Sequence, residues 1–178
     1  MLDDIYPKVQ SGPPKPSVIL VPSVFSLPPG SERYVVRGCG AVLIAVEPGD
    51  QISVLNEEGG QLCEVLALDK KGRSDAGLLD QTSNCDASGL KKLLAGVDPS
   101  LRSVRMGLDA RDVDLATVAA IRFFTSLTPA KTEVQLRVAQ EGSVVIAAPG
   151  GIMDFEAQDT ATPLVVMVKR AVIKQAVK

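Results

Sequence analysis

Apolar and polar residues alternate over residues 51–68, which is typical of β-strands. Ile52 and Val54 share one face of a first strand, and a Gly-containing loop at 57–60 leads into a return strand. That return strand is apolar on both faces: Leu62, Glu64, Leu66 and Leu68 lie on one, and Cys63, Val65 and Ala67 on the other. We therefore predict a β-hairpin whose second strand is central in a sandwich or barrel.

The rest of the pattern predicts more strands and one or two short helices. Strands are expected between 32 and 55, separated by glycines and a turn at 48–50. The polar segment 69–84 is expected to be a surface loop, and 88–95 a short helix capped by Ser88. Residues 100–110 suggest a strand, and 114–127 a helix that begins at Asp114, although its VAAIRFF portion also fits a strand. Three strands, at 132–140, 142–151 and 162–172, complete the chain.

These elements define the expected fold class and domain organisation. Residues 1–16 contain SGPPKP and are expected to form an extended arm, followed by a single β-rich domain over 17–178. Its first strand, 17–27, is interrupted by Pro22 and is expected at a sheet edge. Because strands and helices do not alternate as in βαβ units, a Rossmann-type fold is not expected. We predict a mainly β fold, an antiparallel β-barrel or sandwich with one or two short helices.

Composition limits the chemistry that this chain can perform. Aromatic residues make up 3% of the sequence and Trp is absent, so the core must be aliphatic. The sequence contains no His, which excludes Ser-His-Asp and Cys-His nucleophile systems and His-containing zinc motifs within this chain. Catalysis here would have to use Asp, Glu, Lys, Cys, Tyr or a group supplied by another module.

Charge and hydropathy predict neither a nucleic-acid partner nor a membrane partner. The net charge is −2 and basic residues are scattered, apart from a basic run that starts at Lys169. The polar N-terminus does not resemble a signal peptide, and the apolar segments are shorter than the roughly 18 residues that a membrane helix needs. A cytoplasmic location is therefore expected.

Three cysteines and three carboxylates are the residues that could carry chemistry. Cys39, Cys63 and Cys85 match no CxxC spacing, so we expect reduced thiols and no metal site, although three thiolates could hold one zinc ion with an open position. Asp154 and Glu156 lie two residues apart and could bind a metal or an amine if they are in a strand, but a solvated loop is the simpler interpretation. Glu64 could be a base or an amine anchor, and the simpler interpretation pairs it with a nearby Lys or Arg or places it on a rim. The glycine-rich segments at 38–40 and 148–155 fit turns and match no phosphate-binding motif.

Three short motifs carry a family resemblance. Gly49-Asp50, the Gly59-Gly60-Gln61 turn and Thr162-Pro163-Leu164 resemble motifs of the urea-carboxylase-associated domain family, over about 30–172. The chain is also similar to the N-terminal segment of bacterial fusion proteins in which such a domain precedes a folate-binding module like the glycine-cleavage T-protein. The zinc-binding domain of those proteins has cysteine motifs that this sequence lacks, and Ser83-Asn84-Cys85 is the one similar piece.

The resemblance implies a non-catalytic structural or docking β-domain of a folate-dependent aminomethyltransferase or amine demethylase. It implies no cofactor in this chain, with tetrahydrofolate and zinc belonging to an associated module. The expected partner is that folate-binding module, or another copy of the chain.

Two alternatives remain open from the residues. One is an enzyme for a small amine or a urea-like substrate that uses Glu64 or the Asp154/Glu156 pair; it predicts that Glu64→Gln abolishes activity without lowering stability. The other is a small-molecule-binding protein with a ligand in the mouth of the barrel.

Overall fold

The computed structural model describes residues 27–150 and 161–171, and these residues form a β-sandwich. The strands are β1 Ser31–Val36, β2 Gly40–Val46, β3 Gln51–Asn56, β4 Cys63–Leu68, β5 Ile121–Phe123, β6 Thr132–Arg137, β7 Gly142–Ala148 and β8 Leu164–Lys169. Two short helices, α1 Ser88–Ala95 and α2 Arg102–Asp109, lie between β4 and β5. The predicted mainly β class is confirmed, as are the helix at 88–95 and the three closing strands.

Every strand pairing within the two sheets is antiparallel. One sheet has the order β1-β8-β3-β6 and the other β2-β7-β4-β5. The members of each successive pair, β1/β2, β3/β4, β5/β6 and β7/β8, lie in opposite sheets. This is the strand order of a jelly roll, and the two sheets do not join into a closed barrel. Of the two predicted architectures, the sandwich is the one that forms.

The predicted hairpin between β3 and β4 is wrong, because the two strands belong to different sheets. β3 pairs with β6 and β8, whereas β4 pairs with β5 and β7. The connection crosses from one sheet to the other through Gly59 and Gly60, whose φ angles of 82° and 69° favour glycine. All six residues of β4 are buried, so β4 needs a position in which both of its faces are covered. β3 is buried at every second residue, which suits the sheet that is covered on one face.

The two sheets differ in how many of their faces are covered. Aliphatic side chains from both sheets fill the space between them, including Ile52, Val54, Val65, Ile146 and Val166. The outer face of the β2-β7-β4-β5 sheet, the covered sheet, packs against leucines and a valine of the helical region: Leu90, Leu94, Leu101, Val104 and Leu108. No helix in the described ranges covers the outer face of the β1-β8-β3-β6 sheet, which we call the open sheet.

The strand predicted at 100–110 is wrong, since these residues form a 3-10 turn and α2. Asp98 accepts a hydrogen bond from the Ser100 backbone N–H at 2.8 Å, and Pro99 occupies the first turn. An Asp-Pro pair is a typical helix start, and Leu101, Val104 and Leu108 recur at helical spacing. Gly107 allows α2 to lie directly on β2, because a Cβ there would come within 2.3 Å of a Leu43 side-chain carbon.

The helix predicted at 114–127 is also wrong, and the strand alternative for its VAAIRFF portion is correct over 121–123. Asp114 accepts a hydrogen bond from Ala116 N–H at 3.0 Å, which closes a turn but starts no helix. Residues 121–123 pair with the edge of β4 as strand β5. The backbone hydrogen bonds of this pairing favour a strand more than the apolar spacing of the segment favours a helix.

Three other expectations have mixed outcomes. Residues 69–84 are only partly a surface loop, because Leu78 and Leu79 are 1% and 0% exposed and close one end of the core. Ser88 is the first residue of α1 and does not cap it. The arm at 1–16 and nearly all of the edge strand at 17–27 lie outside the described residues. In the part of the chain that is described, no helix is long and apolar enough to cross a membrane.

Candidate functional site

Glu64 lies on the outer face of the covered sheet, beneath the start of α1, and is 1% exposed. Its carboxylate accepts hydrogen bonds from Gly89 N–H at 3.2 Å, from Leu90 N–H at 2.7 Å and from the Arg122 guanidinium at 2.6 Å. β4 and β5 place the ion pair in register, since Glu64 and Arg122 are Cα partners. The carboxylate therefore bonds both to a helix terminus and to a cation of the neighbouring strand.

The start of α1 depends on this distant carboxylate. The residue before the helix, Ala87, has a φ of 57° and no side chain that could cap the helix. The first N–H group of α1 donates to Asp86 at 3.1 Å, and the next two need another acceptor. Gly89 gives the carboxylate access, because a Cβ there would lie 2.9 Å from Glu64 Oε1. The charge of Glu64 raises the pKa of Arg122 through their hydrogen bond. A carboxylate near a helix N-terminus is also favoured by the helix dipole.

The three cysteines occupy three different environments. Cys63 is buried between the sheets, Cys39 is exposed in the turn between β1 and β2, and Cys85 is partly buried beside Ala120. Burial, and next the charge of Glu64, raise the pKa of the Cys63 thiol, which keeps it protonated. Among the described residues, no group of three or more His, Cys, Asp or Glu side chains could hold a metal ion.

Asp154 and Glu156 lie in the segment 151–160, outside the described residues, but the residues on either side of that segment are held together by Gln61. The side chain of Gln61 donates a hydrogen bond to Pro149 O at 2.9 Å and accepts one from Thr162 N–H at 2.8 Å. Asn56, which is fully buried, donates to Gln61 O at 2.9 Å and accepts from Gly59 N–H at 3.0 Å. These two amides fix the β3–β4 crossing and bring the ends of β7 and β8 together.

Gln61 could have been singled out from the sequence, because it ends the Gly59-Gly60-Gln61 turn that carried the family resemblance. A buried amide next to two glycines is consistent with a special turn whose backbone groups need side-chain partners. Asn56 carries no comparable signal.

A second ionic cluster joins the end of β8 to β1 and to the β2–β3 turn. Arg170 contacts Glu32 at 2.7 Å and Asp50 at 2.8 Å, and Asp50 also accepts from Ala171 N–H at 2.8 Å. Hydrogen bonds from Arg170, and then from Tyr34, lower the pKa of Glu32. Burial by itself raises the pKa of Asp50, but the hydrogen bonds from Ala171, Glu47 and Arg170 outweigh it and the pKa is lowered. Sequence reasoning missed this cluster because its members are far apart along the chain.

Comparison with known proteins gives one strong sequence relative. No family model matches the chain. The whole chain is 54% identical over 178 residues to the trimethylamine-oxide aldolase of Ruegeria pomeroyi, and it spans 23% of that protein's length. A crystal structure of a DUF1989 family protein from Silicibacter pomeroyi is similar over 89% of each chain, with a TM-score of 0.46 and 12% identity.

Proposed function

We propose that this chain is the jelly-roll part of an enzyme of the trimethylamine-oxide aldolase type, and that it acts there as a structural, docking domain. The observation that carries this proposal is the 54% identity that extends over the entire chain to about a quarter of such an enzyme. Since fold by itself does not determine activity, the assignment depends on this relative and on the site geometry, not on the jelly roll.

The reaction suggested by that name can be balanced without an oxidant or a reductant. An aldolase acting on trimethylamine oxide releases an aldehyde, and a methyl group is the available carbon source. One trimethylamine oxide then gives one dimethylamine and one formaldehyde. One C–N bond, the N–O bond and one methyl C–H bond break, the oxide oxygen forms the C=O bond of formaldehyde, and the hydrogen ends on nitrogen as N–H. The methyl carbon is oxidised by two electrons and the nitrogen is reduced by two. Tetrahydrofolate in an associated module would accept the formaldehyde, and zinc, if it takes part, would belong to that module also.

The described residues of this chain support a structural role better than a catalytic one. Glu64 already accepts three hydrogen bonds and is almost completely shielded from solvent. A general base must be able to reach the proton that it removes, and this carboxylate points into the start of a helix. Among the described residues, aliphatic side chains fill the space between the two sheets, which argues against a ligand bound at that place.

The alternative of a small-amine enzyme keeps one supporting observation, which is that the relative's name refers to a small amine oxide. On that alternative the carboxylates of this chain, Glu64 or Asp154 and Glu156, would contact the amine directly.

The test uses a chimera, in which this chain replaces the corresponding segment of the Ruegeria pomeroyi enzyme. The measurement is formaldehyde release from trimethylamine oxide. We expect the chimera to be active, the enzyme without the segment to be inactive, and the 178-residue chain to release no formaldehyde. An inactive but folded chimera would contradict the proposal.

Glu64→Gln in the chimera separates the structural role from the catalytic one. A structural Glu64 predicts a lower Tm and activity that recovers on cooling. A catalytic Glu64 predicts lost activity at every temperature with an unchanged Tm. Glu58→Gln, at an exposed position in the β3–β4 crossing, is the matched control.

A further inference from the structure

The outer face of the open sheet has an ordered arrangement of apolar and charged side chains. Across β1, β8, β3 and β6, one register row contains Val35, Val165, Leu55 and Glu133. Val35 is 52% exposed, although Val165 beside it is only 8% exposed. In this row, Val165 is therefore packed between its neighbours, whereas Val35 is exposed at the edge of the sheet.

The other two rows of this face form a shallow groove with basic residues at one end. The next row contains Arg33, Met167, Ser53 and Gln135, and the row after it Ser31, Lys169, Gln51 and Arg137. Residues of these two rows line a groove of about 330 Å³. Three exposed cations and one carboxylate make this face positive, whereas the whole chain has a net charge of −2.

These cations have no ion-pair partner within the described part of the chain. The salt bridges there involve Lys70, Arg73, Arg122 and Arg170, and not Arg33, Arg137 or Lys169. Cations beside an exposed apolar side chain are consistent with a surface that meets a partner carrying carboxylates around an apolar centre.

We propose that this face is where the remaining part of a trimethylamine-oxide aldolase-type enzyme docks, as a folded domain that places carboxylates opposite Arg33, Arg137 and Lys169. The inference rests on the proposed function, because the relative has about three quarters of its length beyond the part that this chain matches. Apolar side chains of that domain would cover Val35, Leu55 and Met167.

The size and charge of the face favour such a domain over a second copy of this chain. Four strands spaced about 4.8 Å apart, with six residues each at about 3.3 Å, present about 400 Å². Counted on both partners, about 800 Å² would be buried, which lies in the lower range of domain interfaces within one polypeptide and is about half of the roughly 1,600 Å² of a standard protein–protein interface. Two copies of this face would also bring like charges together.

The experiment uses the full-length chimera with a photo-crosslinking residue, benzoylphenylalanine, at Gln135 on the open face. Met106 on α2 is the matched control, since it is 60% exposed but lies on the helical side of the covered sheet. We expect Gln135 to crosslink to the remaining part of the same polypeptide and Met106 to give little product. Formaldehyde release by the same samples reports on the proposed function independently.

A charge reversal provides a second measurement that does not depend on the crosslinker. Arg137→Glu should lower the crosslinking yield from Gln135 about two- to fivefold, and raising the salt concentration should lower the yield of the unsubstituted protein. Lys92→Glu on α1 makes the same charge change on the opposite side and should leave the yield unchanged.

The outcomes separate the two proposals. Products between two chimera chains, products with residues 1–26, or products from Met106 alone would each overturn the docking surface. If activity is retained in that case, the proposed function still stands. If the chimera is folded but inactive, the proposed function fails, and the docking inference that rests on it fails as well.

Discussion

Over residues 27–150 and 161–171, the two sheets contain the same number of strands, yet helices cover the outer face of one sheet and not that of the other. In the covered sheet, β4 and β7 are buried almost throughout, and their sequences CEVLAL and GSVVIAA show no alternation. In the open sheet, β3 and β6 alternate between buried or partly buried and more exposed positions. In these four strands the period of the pattern reports how many faces are covered. β8, LVVMVK, in the interior of the open sheet, is an exception: it shows no alternation because its neighbours bury Val165 on the outer face.

The carboxylates of the two sheets show the same contrast. Glu64, on the covered sheet, is buried and accepts hydrogen bonds from a helix and from an arginine. Glu133, on the open sheet, is exposed and accepts a hydrogen bond from Ser53. A charged residue in an apolar strand is therefore tolerated where the layer that covers it supplies donors.

The largest expected effect is that of Glu64→Ala. It leaves two backbone N–H groups of α1 and the Arg122 guanidinium without their acceptor, and we expect a loss of about 4 kcal/mol in the free energy of unfolding. Urea denaturation of the 178-residue chain measures this loss. Glu133→Ala should change the value by no more than about 0.5 kcal/mol. Equal effects for the two variants would contradict the contrast between the sheets.

A matched pair of leucines tests the packing of the two outer faces. Leu66, on β4, is 0% exposed beneath the helices, whereas Leu55, on β3, is partly exposed on the open face. Leu66→Ala should lower the free energy of unfolding by about 3 kcal/mol and Leu55→Ala by about 1 kcal/mol. The same denaturation experiment measures both. A Leu55→Ala loss as large as that of Leu66→Ala would mean that the open face is covered in the isolated chain.

The smallest effect concerns acid stability at the edge of the open sheet. The pKa values of Glu32 and Asp50 are lowered in the fold, so the unfolded chain binds more protons between the folded and unfolded values. Their stabilisation is therefore present above about pH 4, and it is lost as the pH falls through the lowered values. We expect Tm to fall at the acid end of the range from about pH 3 to 6, over which carboxylates titrate. Circular dichroism measures Tm at each pH.

Arg170→Gln tests the cause of that fall. It removes the cation that lowers both pKa values, and Tm should then depend less on pH, although it is lower at neutral pH. Lys92→Gln makes the same charge change on α1 and should leave the acid dependence as it is. If both variants respond to pH in the same way, the Arg170 cluster is not its source.

Part of the fold could be predicted because its signal is local. The strands from 132 onward, the helix at 88–95 and the aliphatic core all follow from short-range periodicity and composition. The predictions for 100–110 and 114–127 failed because their apolar spacing fits either element. Over 100–110, the Asp98-Pro99 start signal indicated the correct helix. Over 121–123, backbone pairing with β4 decided for a strand.

The candidate site was predictable to a smaller extent. The sequence identified Glu64 as unusual, and the simpler interpretation, an ion pair with a nearby cation, agrees with its contact to Arg122. It could not identify Arg122 as the partner, because the two residues meet only through the β4–β5 register. The same holds for Arg170 with Glu32 and Asp50, and for Gln61 with Pro149 and Thr162.

By itself, the sequence determined an aliphatic, mainly antiparallel β fold and excluded histidine-based chemistry within this chain, because composition and periodicity are properties of the residues alone. Only the tertiary structure decided that β3 and β4 separate into different sheets, that the Glu64 carboxylate accepts N–H groups at the start of α1, and that in the described ranges no helix covers the basic and apolar face of one sheet. Each of these depends on which distant segments lie side by side. Local propensities do not determine which segments become neighbours. That is decided by the need to bury strands that are apolar on both faces, such as β4.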